Sequence, residues 1–393
     1  MKMLFCFILF FSMNLDAQEP LEPIQTVEIG KNRECRVNGN PFFPIMSWAQ
    51  APENFLMLRT HGINTFCGNQ RNVSSQQQSD AAGKAGGYAV AYFEEGAVGH
   101  PNLLSWIHHD EPDLPSRQIL PNKIISIYNN IKQTDDSRPV MMTLTSNFMK
   151  AHTIRYDAET QNKLYPEYVK GADFLGFDTY PIYGWNYPKR LNDPAIGVME
   201  LKELTASKKP IYAWIETHKG SKWITFDMQL DVLPKHTRFE VWGAIIRGAT
   251  AIGYFTHRWR PDFKEFAPTE DMRNELKRLN RQITDLAPAI LADPAEEDIS
   301  IMLSGKLSCH FKATNLEGVL YIFAQNIDLG KDAEKLGQGE DITPRSGTAD
   351  ISVPDLREGT QIEVIGENRN ISAKKGLFTD DFAPLAEHIY VIR

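Results

Sequence analysis

The chain has 393 residues, enough for one large domain and a smaller one at roughly 100–200 residues each. Hydrophobic residues make up 42% of it and charged residues 23%, a balance that excludes an intrinsically disordered chain. The net charge of −8, with no long basic run, argues against nucleic acid or an anionic membrane surface as a partner.

The N-terminus reads as a signal peptide over residues 1–17. Lys2 precedes an apolar run from Met3 to Phe11, and Leu15-Asp16-Ala17 ends on a small residue suited to cleavage. The run is too short to span a bilayer as a helix, so the expectation is a secreted or periplasmic protein with no membrane insertion after signal removal. Cys6 lies inside the run and is poorly placed for a lipid anchor. Cys35, Cys67 and Cys309 remain, too few and too odd a number for a disulfide framework, although one pair stays open. Asn72-Val73-Ser74 and Asn370-Ile371-Ser372 fit the glycosylation pattern. Nothing in the sequence fixes an oligomeric state.

Residues 18–293 alternate short apolar runs with helical patterns, which predicts a parallel sheet with crossover helices. Eight strands are expected, at 42–48, 63–67, 88–93, 103–108, 139–145, 174–179, 211–215 and 251–256. Between them, Ile124, Ile127 and Ile131 fall at helical spacing. Met272, Leu276, Leu279, Ile283 and Leu286 mark one apolar face of a long helix, with Thr269 as its cap and Glu270 and Asp271 in its first turn. Gly62, Pro139, Pro210 and Gly248 are stop signals ahead of strands. Eight strand–helix units in this length predict a closed (β/α)8 barrel. An open doubly wound sheet would carry a glycine-rich loop after its first strand, and Ser47 to Pro52 has no glycine. Residues 27–37 read as a hairpin at the barrel's N-terminal mouth. Residues 294–393 carry short alternating runs at 299–303, 307–313, 319–325, 349–353, 361–365 and 388–392, the pattern of an antiparallel β-sandwich.

In such a barrel, functional residues sit at the C-terminal strand ends. The fourth strand runs into His108-His109-Asp110-Glu111-Pro112, and the seventh into Ile215-Glu216-Thr217-His218. Two facing carboxylates are what glycosidic cleavage needs: one protonates the leaving oxygen, the other attacks the anomeric carbon or activates water. Glu111 and Glu216 are therefore the expected catalytic pair. Trp106 and Trp214 are expected beneath them, in an apolar setting that favours a protonated acid. A single glutamate at a strand end could equally cap the next helix, but two at these ends argue for chemistry.

The barrel resembles clan A of the glycoside hydrolases, retaining (β/α)8 enzymes that place an acid/base Glu after the fourth strand, in Asn-Glu-Pro, and a nucleophile Glu after the seventh. The resemblance extends to Val37-Asn38-Gly39-Asn40-Pro41-Phe42-Phe43-Pro44 at the first strand, to His61-Gly62-Ile63-Asn64-Thr65-Phe66 at the second, and to Asp381-Phe382-Ala383-Pro384 in the sandwich. It implies Glu111 as acid/base, Glu216 as nucleophile, and cleavage of β-glycosidic bonds in a poly- or oligosaccharide. Tyr180 would lie against the nucleophile and Trp259 would stack on sugar. Here Asp110 stands where the clan has Asn, which changes the hydrogen bonding offered to a sugar hydroxyl. Trp48, Asn69, Tyr183, Trp185 and His109 complete the expected substrate-binding set, with turn formation the bland reading for Asn69 and packing for the aromatics.

No nucleophile elbow and no phosphate-binding loop is present, and no cofactor is called for. A metal site at His108-His109-Asp110-Glu111 is disfavoured, because adjacent strand residues point to opposite faces. The alternatives are a barrel that binds glycan without cleaving it, which Asp110 keeps open, and a metal-dependent hydrolase drawing on His218 and His257.

Overall fold

A computed structural model describes residues 19–354 and 356–393; the expected signal peptide lies outside the described residues. The first element is a three-stranded antiparallel meander, β1 (Val27–Ile29), β2 (Cys35–Val37) and β3 (Asn40–Phe42). The two-residue turn between β2 and β3 is Asn38-Gly39, both at positive φ (52° and 79°), the pairing that a tight hairpin demands. Phe42 packs edge-on against Tyr88 at the start of the third barrel strand, so the meander lies against the N-terminal end of the barrel.

Eight parallel strands close the barrel: β4 (Ile45–Trp48), β5 (Thr65–Cys67), β6 (Tyr88–Tyr92), β7 (Leu103–Ile107), β8 (Val140–Thr145), β9 (Phe174–Asp178), β10 (Ile211–Glu216) and β11 (Ala251–Phe255), with β11 pairing back to β4. All eight coincide with the apolar runs expected to form them. Seven α-helices accompany them among the described residues: α1 (Phe55–Thr60), α2 (Ser75–Lys84), α3 (Pro121–Thr134), α4 (Ala158–Tyr168), α5 (Asp193–Leu204), α6 (Pro234–Arg247) and α7 (Glu270–Ile290). The expectation of eight strand–helix units is corrected at one place: β6 and β7 are joined by a single 3-10 turn at Glu95–Ala97. Ser74 caps α2 in a reciprocal box with Gln77, and Thr269 caps α7 through the Met272 amide. Gly248 ends α6 at φ 105°, a conformation that side chains resist.

The barrel interior is set by size complementarity across β9, β10 and β11. Tyr212 and Trp214 of β10 point inward. A Cβ on Gly176 of β9 would come 2.0 Å from the Tyr212 ring, and one on Gly253 of β11 would come 2.1 Å from the Trp214 ring. Both rings lie over glycines because nothing larger fits. Thr143 of β8 ties them together, with its Oγ1 2.9 Å from the Tyr212 hydroxyl and accepting from Trp214 Nε1 at 3.1 Å. Since paired residues share a face, the register fixes Asp178, partner of Trp214, as inward-facing too.

The C-terminal part is two antiparallel sheets around their own core. One is six-stranded, in the order β12 (Asp293–Pro294), β14 (Cys309–Leu316), β15 (Val319–Asn326), β20 (Glu387–Ile392), β17 (Gln361–Val364), β18 (Arg369–Ser372). The other is three-stranded: β13 (Ser300–Leu303), β16 (Gly347–Ser352), β19 (Leu377–Phe382). This part seats on α6, where Trp242 stacks on Phe323 and Gln325 donates to the Phe239 carbonyl. The three described cysteines are free, two of them buried. No helix among the described residues is long and apolar enough to cross a membrane.

Candidate active site

Glu111 lies just past β7 with its backbone in the left-handed region, φ 48°. Holding a non-glycine residue there costs on the order of 1–3 kcal/mol, so its surroundings must over-determine it. Its amide donates to Thr143 of β8 and its carbonyl accepts from Leu114. Two residues on, Asp113 is fully buried and accepts from the Thr145 amide (2.8 Å), the Thr145 hydroxyl (2.5 Å) and the Tyr165 hydroxyl (2.8 Å). Burial still pushes Asp113 up to about 6 against those three donors. This buried anchor fixes the loop that presents Asp110 and Glu111.

Arg117 is the cation of the cluster. It donates to Glu111 Oε2 at 2.8 Å and lies 3.6 Å from Asp110. Burial, followed by the Glu111 charge, pushes Asp110 up to about 7, with Arg117 opposing. The carboxyl group that adjoins Glu111 is that of Asp178, at the end of the sixth barrel strand, and the two share a hydrogen bond. Burial and then the charges of Glu111 and Asp110 hold Asp178 well above the ordinary carboxylate range.

Glu216 is differently placed. It ends β10, wholly enclosed, and both its oxygens accept from backbone amides: Ile182 N at 2.9 Å and Tyr183 N at 2.6 Å. Its remaining neighbour is the Glu240 carboxyl of α6. Neither Glu240 oxygen accepts a well-formed hydrogen bond from an N–H or hydroxyl; the groups that act on it are the Glu216 carboxyl and, to a smaller extent, the Glu216 backbone N–H. Burial pushes Glu216 up to about 7, and burial together with the Glu216 charge holds Glu240 well above the carboxylate range. The fold thus brings Glu111 against Asp178, and Glu216 against Glu240.

An aromatic wall leads away from the acid cluster. Tyr180, whose hydroxyl feels Asp178, Asp110 and Glu111, packs on Tyr183 (5.9 Å) and Phe255 (5.1 Å). Tyr183 meets Trp223 edge-on at 6.2 Å, and its hydroxyl donates to the His257 carbonyl. At the rim, Trp223, Trp259 and Phe263 are 58%, 41% and 54% exposed, large apolar rings left open to solvent. Lys222 spans the two indoles, 5.2 Å from the Trp223 ring and 5.5 Å from the Trp259 ring.

The other expected residues divide. Trp48 lies over the barrel mouth, edge-on to Trp214 at 5.4 Å. His109 lies beside Tyr92, whereas His108 turns away to the Gly171 carbonyl; the two imidazoles diverge as strand alternation requires. Among the described residues no group of three or more His, Cys, Asp or Glu is arranged to hold a metal ion. Asn69 serves the turn: its amide group donates to Val73 and Ser75 and its oxygen accepts from Tyr92. Trp185 packs on His152 and Arg190, apart from the wall. Trp106 does not lie beneath Glu111. It points outward under α3, with its indole N–H on Asp135. Asp178, Arg117, Asp113 and Glu240 escaped the sequence reading. For Asp178 a signal existed, since it shares the motif Phe177-Asp178-Thr179-Tyr180-Pro181 with the tyrosine singled out there.

No protein-family model matches the chain, and no curated protein matches it. Solved structures do. A glycoside hydrolase superposes with TM-score 0.55 at 9% identity, over 93% of this chain and 96% of that one. A family 5 glycoside hydrolase from Bacteroides vulgatus gives 0.54 at 9% identity, over 94% and 93%. An α-amylase from Geobacillus thermoleovorans, complexed with acarbose, gives 0.53 at 8% identity, over 93% and 94%. The fold is the one these hydrolases share. At such identities the likeness concerns the path of the chain, barrel and C-terminal sheets together, and the chemistry has to be argued from the side chains.

Proposed function

We propose that this protein hydrolyses glycosidic bonds of a poly- or oligosaccharide at the C-terminal mouth of its barrel, with Glu111 handling the proton of the leaving oxygen. The observation that carries this is Glu111 itself: a strained, non-glycine residue at the end of the fourth barrel strand, held among Asp110, Asp178 and Arg117. The aromatic rim supports the same reading, because exposed ring faces suit the C–H faces of sugars. The folds it resembles belong to proteins named as glycoside hydrolases. The N-terminal pattern supports export of the protein to a compartment where polymeric glycan is met.

Action on β-linkages with retention, Glu216 acting as nucleophile, is the finer form of this reading and follows from the clan resemblance. It demands that the 180–183 segment open, because the Ile182 and Tyr183 amides occupy the Glu216 carboxylate. The enclosure of Glu216 favours a second reading, a barrel that binds glycan without cleaving it.

The test is to screen the purified protein against a panel of polysaccharides, measuring both binding and reducing-end release, and to follow the first-formed anomer by NMR. Release with retained configuration supports the finer reading. Release that survives in Glu216→Gln contradicts Glu216 as nucleophile. Binding without release on every glycan supports the second reading.

A further inference from the structure

We propose that Asp178 is the positioning residue that stores and supplies the proton with which Glu111 acts, an inference that rests on the hydrolytic reading of the site. The geometry is specific. Asp178 is the last residue of β9, cross-strand partner of both Thr145 and Trp214, and shares the inward face that Gly176 presents two residues earlier. From there its carboxyl reaches that of Glu111. Two carboxyls in hydrogen-bond contact need one proton between them, and Arg117, paired with Glu111 Oε2 at 2.8 Å, stabilises the anion there. In the resting pair the proton therefore sits on Asp178 and is donated toward Glu111.

The charged and titratable groups facing Asp178 come from each neighbouring element: Asp110, Glu111 and Asp113 from the loop after β7, Arg117 beyond it, Tyr180 from its own loop, and Tyr212 from β10. Four acids against one arginine disfavour full ionisation, so the cluster retains protons toward neutrality.

The step balances. The shared proton crosses to Glu111 and passes to the glycosidic oxygen as the anomeric C–O bond breaks, the bonding electrons leaving with that oxygen. Asp178 is left as the carboxylate. Water then forms the new bond to the anomeric carbon. Its proton goes to Glu111 and from there back to Asp178, and the pair is restored.

Glu111 and Asp178 share a hydrogen bond, whereas a nucleophile and an acid leave a gap of roughly 5–5.5 Å for a sugar between them. That contact is why Asp178 is assigned to proton supply through Glu111 and not to attack at the anomeric carbon.

The experiment compares wild type, Glu111→Gln, Asp178→Asn and Asp178→Ala. An asparagine at 178 still donates to Glu111 and carries no transferable proton. We expect kcat to fall about 100-fold in Asp178→Asn, with KM within about twofold. The basic limb of the kcat/KM profile should move about one unit toward acid, because the cluster then lacks the carboxyl that stores the proton. A merely structural role would lower Tm and leave that limb in place, and this outcome overturns the proposal. Infrared difference spectra near neutral pH supply an arm that needs no substrate. A protonated-carboxyl band present in wild type should vanish in Asp178→Asn, and a spectrum unchanged by the substitution also overturns the proposal. Glu111→Gln separates the two claims. If it is inactive while Asp178→Asn matches wild type, only the role of Asp178 falls; if it is as active as wild type, the hydrolytic reading of the site falls.

Discussion

Glu216 and Glu240 press their carboxyl groups together between the end of β10 and α6, with no solvent reaching either. Both groups bind protons more tightly in the folded chain than in the unfolded one, Glu216 up to about 7 and Glu240 well above the ordinary carboxylate range. Folded protein therefore holds more protons than unfolded protein from the ordinary carboxylate range upward, and stability should fall as pH rises through that window. Glu240→Gln offers Glu216 an N–H without needing a proton. Its Tm should exceed that of wild type by a few degrees at about pH 8, and decline less steeply from about pH 5. Thermal melts across that range check this, and parallel slopes for the two proteins would count against it.

Arg117 is the counter-charge for Glu111 and Asp110. In Arg117→Met both acids lose their counter-charge, and with it goes the group that opposes the rise of Asp110. Asp110, already pushed up to about 7, should rise further. The arginine is about half exposed and partly screened, so the basic limb of the kcat/KM profile should move up by about half a unit to one unit. A shift toward acid would contradict the ion pair as described.

Trp223 and Trp259 are open to solvent and tied to the protein mainly through ring contacts and Lys222. If they form a sugar platform, each alanine substitution should raise KM about 3–10-fold, the effect of losing about 0.5–1.5 kcal/mol of stacking, and leave kcat and Tm nearly unchanged. Steady-state kinetics with melting curves check this. An unchanged KM in both variants would remove the rim from the binding site.

The barrel and the sheets behind it are joined by Arg238 of α6, which pairs with Glu387 of β20 and Glu275 of α7 and donates to Gln282 at 2.7 Å. Burial alone raises Glu387, and Arg238 opposes that rise. Arg238→Met would strand a buried carboxylate at a cost of about 3–5 kcal/mol. Tm should drop by several degrees, and adding Glu387→Gln should recover part of the loss. A neutral Arg238→Met would mean the junction is held by its other contacts, the Trp242–Phe323 stack and the Gln325 bond to the Phe239 carbonyl among them.

Barrel strands buried on both faces read as near-continuous apolar runs, and all eight were legible for that reason. The short β18 and β19 were not: Arg369–Ser372 is polar, and Asp380 and Asp381 interrupt the apolar pattern of Leu377–Phe382. Near the site, sequence position located Glu111 because a carboxylate just past an apolar strand stands out. It did not locate the neighbour of Glu111. The inward aim of Asp178 depends on strand phase, which only the pairing of Gly176 with Tyr212 and of Asp178 with Trp214 reveals. The fate of Glu216 depends on two amides from the loop after β9 and on Glu240, more than twenty residues away along the chain, none of which local pattern can anticipate.

The central claim is that Glu111 handles the leaving-group proton. Its most direct test is kcat/KM of Glu111→Gln on whichever glycan wild type cleaves, measured beside a melting curve that shows the variant folded. The account predicts a loss of at least about 1,000-fold, within the range expected for removing a general acid. A folded Glu111→Gln within about tenfold of wild type on every cleaved glycan would contradict it.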